Sequence, residues 1–170
     1  MNMSTQKETH RIVLVALGIA LVAITTLLIR IPNGLQGYVN VGDAVIFIFA
    51  VLVDPVDALL IGGIGSAIAD IAGGYAYYAI FTLIIKGIEG YVASRLYKQW
   101  NRGWLAFLIA AIWMIGGYLI ADSIVNQSFW LGLASVTGNL VQGGASVIIA
   151  TALEPAIKKP ERPFVVILGG

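Results

Sequence analysis

Residues 79–97 read AIFTLIIKGIEGYVASRLY, an apolar run long enough to cross a bilayer with Lys86 and Glu89 set into its middle. A charge at the centre of a spanning helix costs roughly 2.5–3.5 kcal/mol on insertion scales, so such residues persist where they are paired or used. The two are three apart and share one helical face, but Lys ahead of Glu is the weaker order for a pair within one helix. Partners on other helices are therefore expected.

The rest of the chain agrees with a membrane setting. It is 59% hydrophobic and 11% charged, with mean hydropathy +0.90, against roughly 25% charged residues in soluble domains. At about 20 apolar residues per span, the 170 residues fit one membrane domain, 1–170, with no room for a soluble catalytic or nucleotide-binding domain. Apolar segments between turn residues predict six helices, at about 11–29, 42–53, 57–73, 78–97, 103–122 and 130–153. The fold class is all-α, a compact bundle of six transmembrane helices. The run after Arg11 is too long for a signal-peptide core and lacks a convincing cleavage site, so it reads as a retained span.

Between the first two helices the stretch PNGLQGYVNVG, 32–42, reads as irregular backbone, which survives beside lipid only when packed on protein or lining a wet cavity. Asp43 suits an N-terminal cap of the second helix. Asp54 and Asp57 bracket the Pro55 turn and read as solvated. The absence of cysteine excludes disulfides and thiolate chemistry. The single histidine, His10, sits in a polar N-terminal segment and reads as solvated, with no metal site implied.

Charge sets the expected topology. Six spans put Lys7, Arg11, Arg95, Lys98, Arg102, Lys158, Lys159 and Arg162 on one side, with Arg30 and Lys86 alone elsewhere. The positive-inside rule then places both termini in the cytoplasm of a multi-pass protein of the bacterial cell membrane. The basic tail KKPER is expected from topology and anionic lipid, without a nucleic-acid partner.

With that orientation, the rise of 1.5 Å per residue gives depths below the outer surface. Lys86 and Glu89 lie about 12 and 16 Å down, Asn139 and Gln142 about 13 and 18 Å, Trp113 about 13 Å and Tyr118 about 6 Å. Asp43, Asp70, Tyr75, Tyr77, Tyr78 and Asp122 fall at the outer ends of the helices. Polar faces at matched depth, with an indole beside them and a loop above, describe an outward pocket for a small planar ligand. Each element also has a structural reading: a register-fixing ion pair, interhelical amide contacts, an interfacial aromatic belt. Those readings do not account for their joint occurrence on one side.

Small residues mark a second surface. Ala16, Ala20 and Ala23 line one face of the first helix toward its cytoplasmic half, at a spacing that lets another helix approach closely. Gly62, Ser66 and Asp70, with Gly63 and Ala67, repeat the pattern in the third helix, where internal packing also accounts for it. No nucleotide-binding loop, H-E-x-x-H or G-x-S-x-G motif is present, so energy for active transport would come from elsewhere.

The chain resembles the S components of energy-coupling factor (ECF) vitamin transporters. The resemblance rests on Ala16-x-x-x-Ala20 and on the blocks Gly37-Tyr-Val-Asn-Val-Gly-Asp43, Gly65-Ser-Ala-Ile-Ala-Asp70 and Ile85-Lys-Gly-Ile-Glu-Gly90, and it runs over nearly the whole chain. Among subgroups it is most similar to the one assigned to hydroxymethylpyrimidine or pyridoxine. The resemblance implies a non-enzymatic capture subunit without a cofactor, whose pocket is formed by the loop after the first helix and by helices four, five and six. It further implies docking, through the A-x-x-x-A face, onto a transmembrane T component that carries two ATPases. Tyr38, Asn40, Asp70, Tyr78, Lys86, Glu89, Trp113, Tyr118, Asn139 and Gln142 are the expected substrate-binding residues, and Ala16, Ala20 and Ala23 the expected docking residues. The residues alone leave two other classes open: a stand-alone proton-coupled carrier, and a membrane enzyme on a lipid substrate using Asp70 and Glu89 as acid and base.

Overall fold

The computed structural model describes residues 3–32 and 37–158. Six helices follow in chain order: α1 (Met3–Leu28), α2 (Gly42–Leu52), α3 (Pro55–Gly73), α4 (Ala79–Trp100), α5 (Gly103–Val125) and α6 (Phe129–Ile157). Four of them, α1, α3, α5 and α6, are long and apolar enough to cross a membrane. The α4 helix has the length, 22 residues, but carries Lys86, Glu89, Arg95 and Lys98, and α2 has 11 residues. Asn33, Lys159 and Arg162, used above for the loop and the charge count, lie outside the described residues.

Local chemistry explains three of the helix ends. Pro55 occupies the first turn of α3, where its missing N–H costs nothing. That helix closes on Gly74, whose φ of 89° is the left-handed conformation open to glycine. The Ser128 hydroxyl starts α6 by accepting from the Leu131 N–H. The largest departure from expectation is at α1, which begins at Met3 rather than near 11. Its polar opening, MSTQKETH, includes Gln6, Lys7 and Glu8, good helix formers that extend the rod without needing lipid.

The expected irregular loop contains short order, which corrects the purely helical reading. Strand β1 (Arg30–Pro32) pairs antiparallel with β2 (Tyr38–Asn40) in the register Arg30 to Asn40, Ile31 to Val39 and Pro32 to Tyr38. Three residues per strand leave too little alternation to be read as β from sequence. This hairpin defines one end of the bundle, where Arg30 Nη1 donates to the Gly73 carbonyl at 3.1 Å and Tyr78 donates to Asp122. At the opposite end Arg11 donates Nε and Nη2 to the two Asp57 oxygens, each at 2.7 Å, and Lys98 pairs with Asp54. Asp57 is thus buried in a forked ion pair, not solvated as expected; Asp54 is exposed.

The core runs along the bundle axis, with Phe47 stacked on Phe107 at 5.0 Å between centroids and Ile46, Ile61 and Val22 around them. Glycines bring α3 against α4. A Cβ on Gly63 would lie 2.7 Å from the Leu83 carbonyl oxygen, and one on Gly62 would overlap the Lys86 carbonyl. At Gly62 and Gly63 the small-residue pattern of the third helix is therefore internal packing. Gly62→Ala is expected to destabilise by about 1–3 kcal/mol, since backbone must move to admit the methyl. Gly116→Ala, with open space at its Cβ, should be neutral or stabilise by up to about 1 kcal/mol through helix propensity. Thermal or denaturant melts in detergent compare the two.

Candidate ligand-binding site

Beneath the hairpin, three charges from two helices meet in the core. Lys86 Nζ lies 2.5 Å from Asp43 Oδ1 on α2 and 3.1 Å from Glu89 Oε2 one turn along α4. Exposures of 2%, 1% and 0% for Lys86, Asp43 and Glu89 keep bulk solvent from sharing the charge. The expected partner on another helix is Asp43. It does not cap α2, whose N-cap is Val41 without a side-chain bond; the carboxylate turns inward to the ammonium. Asp43 lies in the first turn of α2, where the dipole still favours it.

The amides extend this network to the hairpin. Gln142 Nε2 on α6 donates to Asp43 Oδ2 at 2.8 Å, and its Oε1 accepts from the Asn40 backbone N–H at 2.9 Å and from Asn40 Nδ2 at 3.3 Å. Asn40 Oδ1 in turn accepts from the Gly42 N–H at 2.8 Å. Strand β2 is thereby tied to the charged cluster through one glutamine. The second tie is Tyr38, which donates its hydroxyl to Asp70 Oδ1 at 2.5 Å. Burial, then the Asp70 charge, push the Tyr38 phenol above its ordinary pKa, so it stays a donor.

Between these ties lies a cavity of about 30 Å³ lined by Tyr38, Asn40, Asp70, Tyr78, Lys86, Tyr118, Asn139 and Gln142, with Thr26, Gly37, Ser66, Thr82 and Asp122. Tyr118 places its ring 5.4 Å from Lys86 Nζ and its hydroxyl 3.0 Å from Thr82 Oγ1. Space of this size holds a water or two. A ring-sized ligand is larger than this space.

Eight of the ten expected binding residues line this cavity, and two do not. Trp113 is 42% exposed, its indole N–H donating to the Ile85 carbonyl at 3.1 Å, so it packs outside the cavity on the bundle surface. Glu89 lies behind Lys86, fully buried and away from the lining. The residues sequence reasoning left out are Thr26, Ser66 and Thr82, single hydroxyls within apolar helices, Gly37, and the Asp122 carboxylate, placed at the right end but not in the site. Of the expected docking residues, Ala16 and Ala20 are exposed and Ala23 is buried. The start of α2 comes against α1 at Thr26, where a Cβ on Gly42 would overlap the threonine hydroxyl. A separate groove of about 490 Å³ runs between α1 and α3 at the end away from the hairpin, lined by Glu8, Arg11, Ile12, Val15, Ala16, Ile19, Asp57 and Leu60.

A roofed polar cavity in an apolar helical bundle is what a membrane capture protein requires. A family model described as "ECF-type riboflavin transporter, S component" matches residues 6–159. The chain belongs to this family. As an ECF S component it is a subunit of a vitamin or vitamin-precursor transporter, a multi-pass membrane protein and not an enzyme. Two relatives are similar over most of their length. The chain is 28% identical over 162 residues to the thiamine precursor transporter HmpT of Lactococcus lactis subsp. cremoris (strain MG1363), covering 94% of each. It is 36% identical over 147 residues to a Pyrococcus woesei protein described as "Uncharacterized protein in gap 3'region", covering 84% of this chain and 98% of that one.

Proposed function

We propose that this S component captures hydroxymethylpyrimidine or pyridoxine in the cavity beneath β2. It then passes the ligand inward by docking on a transmembrane T component driven by two ATPases. In this reading all six helices traverse the membrane, both termini are cytoplasmic and the hairpin end faces out. The observation that carries the capture reading is convergence. Side chains from α1, α3, α4, α5 and α6 and from the hairpin meet around one polar space while the surrounding bundle is apolar. The relative named as a thiamine precursor transporter supports the pyrimidine end of this substrate range. The basic residues support the orientation: Arg11 and Lys98 sit at the end away from the hairpin, as the positive-inside rule asks of a cytoplasmic face.

Purified protein should carry a small heterocycle, identified by mass spectrometry of the denatured sample, and should bind the same compound after it has been stripped. Asn139→Ala removes an amide that lines the cavity and should weaken binding by about 1–3 kcal/mol. Trp113→Ala, outside the cavity, should leave affinity close to wild type. Equal affinity in the Asn139 variant and wild type would remove the proposed site.

A further inference from the structure

The hydrogen-bonding capacity left over in the cavity has a definite polarity. Lys86, the cation lining it, is spent on Asp43 and Glu89. Gln142 and Asn40 are spent on Asp43, on each other and on the Gly42 N–H. The Tyr78 and Tyr38 hydroxyls donate to Asp122 and Asp70. What remains is Asp70 Oδ2, buried with no hydrogen-bond partner although Thr82 faces the same carboxyl, the buried Thr26 hydroxyl, also without a partner, and the Asn139 amide. A hydroxyl and an amide can serve either role, but an ionised carboxylate oxygen only accepts. A buried acceptor without a donor is costly and calls for a reason.

The fold supplies no such reason at Asp70. The residue lies in the last turn of α3, whose carbonyl ends already make that place unfavourable for a carboxylate. It is 3% exposed, so bulk solvent does not relieve the charge. Asp122 stands likewise near the end of α5 on the same cavity. Two carboxylates at helix C-termini, beside one lysine already engaged twice, make the upper cavity a place for hydrogen-bond donors and a poor place for anions.

Building on the capture reading, we infer that Asp70 Oδ2 is the acceptor for an N–H donor edge of the ligand. The substrate class is then an uncharged or cationic amino-substituted nitrogen heterocycle, unphosphorylated and without a carboxylate. Ring systems that present a carbonyl at that position put two acceptors face to face and are rejected. A phosphate ester adds charge repulsion from Asp70 and Asp122. Tyr38 links this contact to the roof, because the Oδ1 of the same carboxylate holds β2 in place.

Isothermal titration of the purified protein in detergent tests this with four probes. These are the hydroxymethyl aminopyrimidine, its counterpart with a carbonyl in place of the amino group, the phosphate ester of the first, and riboflavin. The amino compound should bind roughly tenfold to a hundredfold tighter than the carbonyl compound, as expected for one charge-assisted hydrogen bond lost against an acceptor clash. The other two should be weaker still. Asp70→Asn, whose amide can also donate, should remove most of that discrimination while the thermal melt stays cooperative; should the variant fail to fold, the wild-type ranking decides alone. Wild-type preference for the carbonyl compound, the ester or riboflavin would overturn the assignment of Asp70 and leave capture intact. Binding of none of the four, with no small molecule carried through purification, would overturn both.

Discussion

Lys86→Met should destabilise the folded protein by about 3–5 kcal/mol, the cost of leaving buried charge uncompensated. That is a large share of a typical stability of about 5–15 kcal/mol. The expectation follows from the arrangement. Asp43 and Glu89 both face Lys86, and all three are buried from bulk solvent. Methionine keeps the volume and stem of lysine, so the loss measures charge and not packing. Asp43 keeps the Gln142 amide and the start of α2 when the ammonium goes; Glu89, in the middle of α4, keeps neither. Glu89→Gln should therefore restore more of the lost stability in the Lys86→Met background than Asp43→Asn does. The triple variant Lys86→Met, Asp43→Asn, Glu89→Gln should recover most of it, since replacing a whole buried ionic cluster by neutral groups is often close to neutral. Chemical denaturation followed by circular dichroism gives the series. Equal losses in the single and triple variants would mean that shape, not charge balance, fixes this cluster.

How much of this was legible beforehand depends on how loudly each residue type speaks in its setting. Lys86 and Glu89 could be found because a charge inside an apolar helix has few structural excuses; the order of the two pointed to partners elsewhere, which Lys86 has in Asp43, whereas Glu89 pairs with Lys86 itself. Asp43 was legible as a residue but not as that partner. An acid at the start of a helix looks like a cap, and only the third dimension shows it turned inward. Trp113 shows a different limit. Residue spacing gave its height, which matches Lys86, but not its direction around α5. Tyr118 follows five residues later, about 140° around the helix, and the two cannot both face the same cavity. Depth was a one-dimensional measure applied to a two-dimensional question. Thr26 and Ser66 were silent because a hydroxyl in an apolar helix can satisfy itself on its own backbone. The six helices were legible from period and turn residues, while the β1–β2 ladder was too short to carry a period at all.

Ala16→Trp and Ala20→Trp should abolish transport while leaving capture unchanged, with uptake in cells carrying the partner subunits down by roughly tenfold or more, at 1.4 kcal/mol of docking energy per tenfold. The two alanines are exposed on α1, and Ala16 lies in the groove of about 490 Å³ between α1 and α3. Lipid can cover an exposed apolar ridge such as Val13, Leu17 and Ile24, so exposure alone does not argue for a protein partner. A concave groove is different. Its walls, Ile12, Val15, Ile19 and Leu60, are apolar, and at its end Arg11 locks Asp57 in a two-bond fork. Close helix approach at small residues is the means by which membrane helices associate without a hydrophobic drive. An indole at Ala16 fills the groove and stands off any helix seated in it, while the ligand cavity lies at the other end of the bundle. Ala23→Trp is the contrast: buried rather than exposed, it should reduce folded yield and so lower binding and uptake together. Wild-type uptake in both exposed variants would assign this face to lipid, and the T component would have to engage another side of the bundle.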